Sequence, residues 1–441
     1  MDDYDGDEVE VEVEASGSGD TVESPVAVVD GPHMNVFWST GMLAHNAGDG
    51  MFDTLHDPGF LAVLDSHPES PERIINILSI LKKGPIAPYI SWHDGEAAEL
   101  EELTTFHSPA YVRDLLDAHK AGGKTLCGGT RINHGSWKAV LLAAGTTRRA
   151  MRYILEGLGK LAYALVRPPG HHAQPTRADG YCFLNNAALA VQVSMVYTTR
   201  KDGMQFIGAA VTVDREQLSP CATLAIDMDV KKVAVVDIDV HYGNGTAEGF
   251  YSRKDVFTIS LHMNHGSWGD SHPQTGQPDE VGVGAGIGYN FNIPLPNGTG
   301  DKGYEYAFKE LVVPALANYK PAMLVVTFGQ DASAFDPNGR QCLTMDGFRT
   351  LGRLLKEQAD IHTDGKLLLV QEGGYHVTYS AYCVHGLIEG VLQLPEELLS
   401  DPMGYYIEEE APTIDRVEEI KEIFSEAIAA AKSELKKSET S

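Results

Sequence analysis

VAVVDIDVHYGNG, residues 233–245, decides how this chain is read. An apolar run, 233–236, meets acids at alternate positions, Asp237 and Asp239, and then reaches His241. On a strand alternate side chains share a face, so these three are expected to point the same way. Two carboxylates and an imidazole, gathered where a buried strand gives way to a glycine-bearing loop, suit a borderline-soft divalent metal, zinc among others. The other reading of the same residues is a strand end capped by Asp237 and Asp239 in turn hydrogen bonds.

Three more segments follow the same grammar. ALVRPPGHHA sets His171 and His172 behind an apolar run and a Pro-Pro-Gly turn, LVVTFGQDASAFDP delivers Asp331, and LLLVQEGGYH places Tyr375 after a glycine pair. Apolar runs ending in polar groups on Gly- or Pro-bearing loops are how an α/β protein builds a site at the carboxyl ends of parallel strands. Buried strands are expected at 162–166, 232–238, 256–261, 323–328 and 366–371, with a first strand in NVFWS from Asn35. Helical periodicity covers 71–82, 109–119, 136–156 and 185–197. The expected class is α/β, a central mostly parallel sheet with helices on both faces.

Composition narrows the function classes. The chain has 441 residues, 43% of them hydrophobic, and 45 glycines, which fits a globular α/β protein with many strand-to-helix turns. No apolar run is long enough to cross a bilayer, and the N-terminus lacks a basic stretch followed by an apolar one. A soluble protein of the cytoplasm and/or nucleus, with no membrane partner, is therefore expected. The net charge is −28, of which residues 1–30 carry eleven acids and no Lys or Arg. Direct nucleic-acid binding is not expected, since phosphate contacts need clustered Lys and Arg. A negative surface favours a cationic substrate instead, such as a Lys-rich tail or a polyamine. Five scattered cysteines, Cys127, Cys182, Cys221, Cys342 and Cys383, form no CxxC pair, which suits a reducing compartment and rules out a cysteine zinc finger. Cys182, in GYCFLNN, is read as a small packed thiol rather than a nucleophile.

Along the chain, residues 1–33 read as a disordered acidic tail. Its VEVEVE run, 9–14, is taken as solvated tail rather than edge strand, and GPHM, 31–34, reads as a leftover of an engineered fusion, so that part of the tail is expected not to be native. A single domain is expected over 34–410, followed at 411–441 by an amphipathic helix that packs on it and a short disordered end. The oligomeric state is not legible.

With these segments placed, the chain resembles a zinc-dependent histone deacetylase of the class II type, most nearly its plant branch, over roughly 35–409. The resemblance rests on RPPGHHA, GYCFLNN, VVDIDVHYGNG, SLHMNHGSW, NIPLPNGTGD, GQDASAFDP and EGGYH, in that order. It implies the arginase-like α/β fold with a tunnel opening at the strand ends. It implies one zinc held by Asp239, His241 and Asp331, three ligands that leave a catalytic position open. His171 and His172 would handle protons rather than bind metal, oriented by Asp237 and Asn244 respectively. An amide behind His172, where class I members have Asp, implies a lower pKa for it and the role of general base, later acid. Tyr375 would donate its hydroxyl to the developing oxyanion.

The resemblance implies softer assignments too. Tyr181, with Gly180, would wall the acyl-lysine tunnel, His272 in DSHPQTG would stand where the opposite wall is usually Phe, and Trp268 is a second rim candidate. Arg73, in HPESPER, would line an internal cavity through which acetate leaves, or else form a buried ion pair. Potassium would use Asp237, Ser260 and the carbonyls of Asp239, His241 and Leu261, and at a second place the carbonyls of Phe250, Arg253, Val256 and Tyr289. One departure stands out: 57 residues separate Cys182 from Asp239, roughly twice the family's usual spacing, so 199–230 reads as an insertion. The expected substrates are acetylated lysines of proteins, histone or not. Small acetylated amines such as acetylpolyamines are the alternative, disfavoured by Asn338, an uncharged residue where a rim acid would select a second ammonium. An inactive acyl-lysine-binding repressor subunit is the reading from another class, and retention of every ligand and of Tyr375 speaks against it.

Overall fold

The computed structural model describes residues 31–48, 62, 66–199, 230–264, 275–403 and 410–439. Ten strands lie among them: β1 (Met34–Trp38), β2 (Ile90–Asp94), β3 (Lys124–Cys127), β4 (Thr130–Ile132), β5 (Leu161–Ala164), β6 (Val233–Asp237), β7 (Val256–Met263), β8 (Asn290–Leu295), β9 (Met323–Phe328) and β10 (Leu367–Gln371). Eight of them form one sheet in the order β2-β1-β5-β10-β9-β6-β7-β8, and every neighbouring pair is parallel. The strands β1, β5, β6, β7, β8, β9 and β10 are buried along their whole length. That explains their continuous apolar sequences: a parallel strand covered on both faces has no polar side to display.

The order of the strands creates the site. β5 and β6 follow one another in the chain but are separated in the sheet by β10 and β9. Ala164, Val370, Thr327 and Asp237 lie in one register row across these four strands, with Ser260 and Asn292 continuing it. The four carboxyl ends are therefore level, and the loops leaving them emerge side by side. These are the loops that carry His171 and His172, Tyr375, Asp331, and Asp239 with His241.

Helices start where the sequence supplies caps and stops. Pro71 opens the helix Pro71–Lys83 and Pro109 opens Pro109–Lys120, positions where a missing N–H costs nothing. Ser108 Oγ accepts the Tyr111 N–H at 3.2 Å, and Thr344 Oγ1 accepts the Gly347 N–H at 3.3 Å at the head of Met345–His362. The helices expected at 136–156 and 185–197 are Ser136–Leu155 and Asn186–Thr199. The C-terminal helix is longer than its periodicity suggested, Glu410–Glu439. It buries Val417 and Ile420 completely and stacks Phe424 on Phe291 of the edge strand β8, ring centroids 4.0 Å apart. Met34, read with the fusion leftover GPHM, is fully buried as the first residue of β1. The stretch 199–230 falls, from residue 200 to 229, outside the described residues, as do residues 1–30 of the tail.

Candidate active site

β6 ends at Asp237, so strand alternation does not carry Asp239 and His241 to one face as expected. Hydrogen bonds in the loop do it instead. Asp237 Oδ1 accepts the Asp239 N–H at 3.0 Å, Asp239 Oδ1 accepts the His241 N–H at 2.9 Å, and Asp331 Oδ1 accepts the Val240 N–H at 2.9 Å. Asp237 thus closes a turn, as the second reading of the motif expected, and the turn presents the next two side chains to Asp331.

Asp239, His241 and Asp331 form the one group of potential metal donors among the described residues, their ligand atoms all within 4.8 Å of one another. His241 Nδ1 lies 3.3 Å from Asp239 Oδ1 and 3.1 Å from Asp331 Oδ2. Donors bound about 2.0–2.1 Å from a tetrahedral zinc lie roughly 3.3 Å apart, so the spacing fits that ion. Neutral imidazole and carboxylate are also its usual donors, and one ring nitrogen has only one proton to share between two carboxylates. The local charges express the same demand for a cation. Burial and the neighbouring Asp239 push the Asp331 carboxyl up to about 6. Burial works against a charged His241, yet its hydrogen bonds to Asp239 and Asp331 prevail and raise it to about 10. Two glycines make the room: a Cβ on Gly329 or Gly373 would run into the Asp239 and Asp331 carboxylates.

His171 and His172 sit beside this group, ring centroids 4.0 Å apart and both buried. His171 Nδ1 meets Asp237 Oδ2 at 2.9 Å, and His172 Nδ1 meets Asn244 Oδ1 at 2.6 Å. The two rings are driven apart in pKa. Burial, then the neighbouring His171 and His241, hold His172 well below the ordinary histidine range. Burial acts the same way on His171, but Asp239 and Asp237 outweigh it and raise it well above that range. The two neighbouring rings thus have opposite preferences for charge.

Tyr375 lies across from them, almost buried, its N–H donated to Asp336 Oδ2 at 2.6 Å. Burial and the Asp331 and Asp239 charges raise its pKa well above the ordinary value, which keeps the hydroxyl a donor. Tyr181 packs edge-on against it at 5.8 Å. Gly180 and Tyr181 both have positive φ, 49° and 69°, and Asp179 and Cys182 exchange backbone hydrogen bonds across them, the pattern of a type I′ turn. Asn338 lies within hydrogen-bond reach of the Tyr181 hydroxyl. Arg73 is wholly buried: Nε lies 3.4 Å from Glu69 Oε1 and Nη1 donates to the Glu372 carbonyl at 2.9 Å, while Nη2 has no protein partner. Cys182 is a buried thiol whose pKa burial pushes up, unlike a nucleophile. His272 and Trp268 lie outside the described residues.

A family model described as histone deacetylase domain matches residues 67–202 and 221–391, most of the chain. The chain belongs to the histone deacetylase family. Among histone deacetylases it is 54% identical over 396 residues to Histone deacetylase 8 of Arabidopsis thaliana, covering 90% of this chain and 97% of that one. It is 32% identical over 346 residues to the Histone deacetylase-like amidohydrolase of Pseudomonas aeruginosa, 78% and 82% of the two chains. The crystal structure of the HDA15 HD domain superimposes with a TM-score of 0.71 at 28% identity, covering 92% of this chain and 98% of that one. The expected deacetylase-like fold is the one observed, and membership in the family makes the chain a hydrolase.

Around these residues, several buried acids escaped the sequence reading. Glu372 Oε2 accepts the N–H groups of Gly170 and His171 at 2.6 and 3.1 Å, pinning the loop that carries the histidines, and burial pushes its carboxyl up to about 8. Asp336 accepts four backbone N–H groups, from Asn338, Gly339, Tyr375 and His376, and so ties the Asp331 loop to the Tyr375 loop. Both stand in motifs already singled out, EGGYH and GQDASAFDP, three and five residues from Tyr375 and Asp331 respectively. At the places expected for potassium, Ser260 Oγ meets His262 Nδ1 at 2.9 Å, and the Phe250 and Tyr289 carbonyls accept the N–H groups of Arg253 and Thr258.

Proposed function

We propose that this chain is a zinc-dependent deacetylase of Nε-acetyl-lysine in proteins, releasing acetate. The observation that carries the reading is one imidazole nitrogen facing two buried carboxylates beside a histidine pair of opposite pKa shifts, in a member of the histone deacetylase family. Asp239, His241 and Asp331 would hold the zinc and leave a further position for water and substrate. Bound there, zinc would polarise the acetyl carbonyl and lower the pKa of the attacking water. His172, neutral and with Nδ1 turned to Asn244, offers Nε2 to take the water's proton and later return it to the leaving lysine amine. His171, paired with Asp237, supplies fixed positive charge beside the reacting carbonyl. The Tyr375 hydroxyl donates to the oxyanion as the carbonyl becomes tetrahedral. Tyr181 and Gly180 would flank the acyl-lysine chain. The free Nη2 of Arg73 suits an acetate on its way out. Potassium near Asp237 and Ser260 stays an inference from the resemblance.

The test is a panel of acetyl-lysine peptides and acetylated polyamines given to the zinc-loaded protein. Higher kcat/KM on the peptides supports the reading, whereas preference for acetylspermidine would replace the substrate class and leave the chemistry. A hydroxamate, which chelates zinc, should inhibit strongly, and unchanged hydroxamate binding to Asp331→Ala would show that it acts elsewhere.

A further inference from the structure

The histidine read as general base is held by a chain of hydrogen bonds longer than one residue. His172 Nδ1 meets Asn244 Oδ1 at 2.6 Å, and Asn244 Nδ2 donates to Asp179 Oδ2 at 3.0 Å. Gln174 Nε2 steadies the same carboxylate oxygen at 3.4 Å. An asparagine amide has two faces of similar shape, one that accepts and one that donates. Beside an imidazole alone it can present either, and each selects a different tautomer of the ring.

A carboxylate removes that freedom, because an ionised Asp can only accept. With Asp179 behind it, Asn244 must turn its NH₂ toward the carboxylate and its oxygen toward His172. Nδ1 must then carry the ring proton, and Nε2 must carry the lone pair. We infer that Asp179 is a positioning residue that fixes His172 in the tautomer a general base requires, acting through Asn244. The inference rests on the proposed role of His172 and adds a residue to it.

The surroundings fit this use. Asp179 opens the type I′ turn whose central residues are Gly180 and Tyr181, and the Asp179 and Cys182 backbones hydrogen-bond to each other at 3.1 and 2.7 Å. Gly180 lies so close to the His172 ring that a Cβ there would overlap it. One turn therefore sets the tunnel wall, the ring position and, through Asn244, the ring tautomer. Asp179 also lines an open cavity of about 630 Å³ between the helix Pro109–Lys120 and the β3–β4 hairpin. A neutral side chain there leaves no hole in the core, so variants at this position are expected to fold.

The experiment is a double-mutant cycle with a spectroscopic arm. Asp179→Leu should lower kcat by about 10-fold or more with KM and zinc content little changed, because part of the population carries the wrong tautomer. Asp179→Asn, whose amide can turn either its carbonyl or its NH₂ toward Asn244, should fall between the parent and Asp179→Leu. In an Asn244→Asp background the group facing His172 has no donor face to misplace, so adding Asp179→Leu should cost nothing further, or relieve the repulsion between two carboxylates. A merely structural role for the turn predicts the same loss in both backgrounds, and that result would overturn the proposal. Independently of activity, ¹⁵N spectra of histidine-labelled protein should show the His172 ring protonated at Nδ1 in the parent and mixed in Asp179→Leu. An unchanged tautomer would equally overturn it, while a parent without deacetylase activity but with the expected tautomer shift would sink the functional reading alone.

Discussion

His241 Nδ1 faces the Asp239 and Asp331 carboxylates at once, at 3.3 and 3.1 Å, and this single atom organises the site. Replacing Asp239 or His241 by Ala leaves two donors, too few for a catalytic zinc. Each variant is expected to lose both the metal and the activity, checked by metal analysis of the purified protein; full zinc occupancy in either would refute the ligand set. Tyr375 makes a different prediction. Its backbone is fixed by Asp336 and its ring by Tyr181 and by the Arg73 guanidinium 5.4 Å above it, so Tyr375→Phe should keep fold and zinc. Loss of one oxyanion donor typically lowers turnover by about 10²–10³-fold. A variant within a few-fold of the parent would mean that the hydroxyl points elsewhere.

Among the elements, the loops matter more than the strands, and a buried ionic cluster clamps three of them. Glu69 Oε1 accepts from Arg167 Nε at 2.8 Å, and Arg167 also donates to the Met42, His45 and Glu69 carbonyls. His45 Nε2 lies 3.3 Å from Glu69 Oε2. The cluster joins the segment after β1, the approach to the helix Pro71–Lys83, and the loop that carries the histidine pair. Burial alone would raise the Glu69 carboxyl, but Arg167, His45 and Arg73 together hold it far below the ordinary carboxylate range. Its folded pKa is therefore depressed, so the stabilisation is complete above the unfolded pKa of about 4.3 and is lost as pH falls below it. Urea unfolding between pH 7 and pH 3 should show a steep loss of stability on the acid side. Glu69→Gln should flatten that slope and cost about 3–5 kcal/mol at neutral pH, the usual result of leaving a buried charge unpaired. An unaltered acid limb in Glu69→Gln would assign the pH dependence to other carboxylates.

At the scale of the whole molecule, the net charge of −28 acts on encounter rather than on chemistry. Acetylated peptides with several free lysines should gain kcat/KM at low salt. The gain should fade between about 0.1 M and about 1 M salt, as the screening length drops from about 10 Å to about 3 Å. A peptide with uncharged flanks is the control and should barely respond. Equal salt dependence for both peptides would mean that the acidic surface plays no part in recruitment. No helix among the described residues is long and apolar enough to cross a membrane.

How much of this was legible depended on range in the chain. Asp239, His241, Asp331, the histidine pair and Tyr375 were marked by local grammar, because a buried parallel strand must read as an apolar run and whatever ends it stands out. Strands and helices near the site were legible for the same reason, through their periods. The sequence could not show that β10 and β9 insert between β5 and β6, since strand order is set by crossover connections and not by any strand's own composition. That insertion brings together residues as far apart as His171 and Glu372, and Asp239 and Gly373, the Glu372 and Asp239 carboxylates accepting the His171 and Gly373 backbone N–H groups. Glu69, Asp179, Asp336 and Glu372 went unnoticed because an acid in a loop is ordinary until its partners are known. Which side chains are candidates for the chemistry was determined by the sequence alone; the hydrogen-bond partners and orientation of each were decided by tertiary packing, because only the folded chain brings residues so distant in sequence within hydrogen-bond reach.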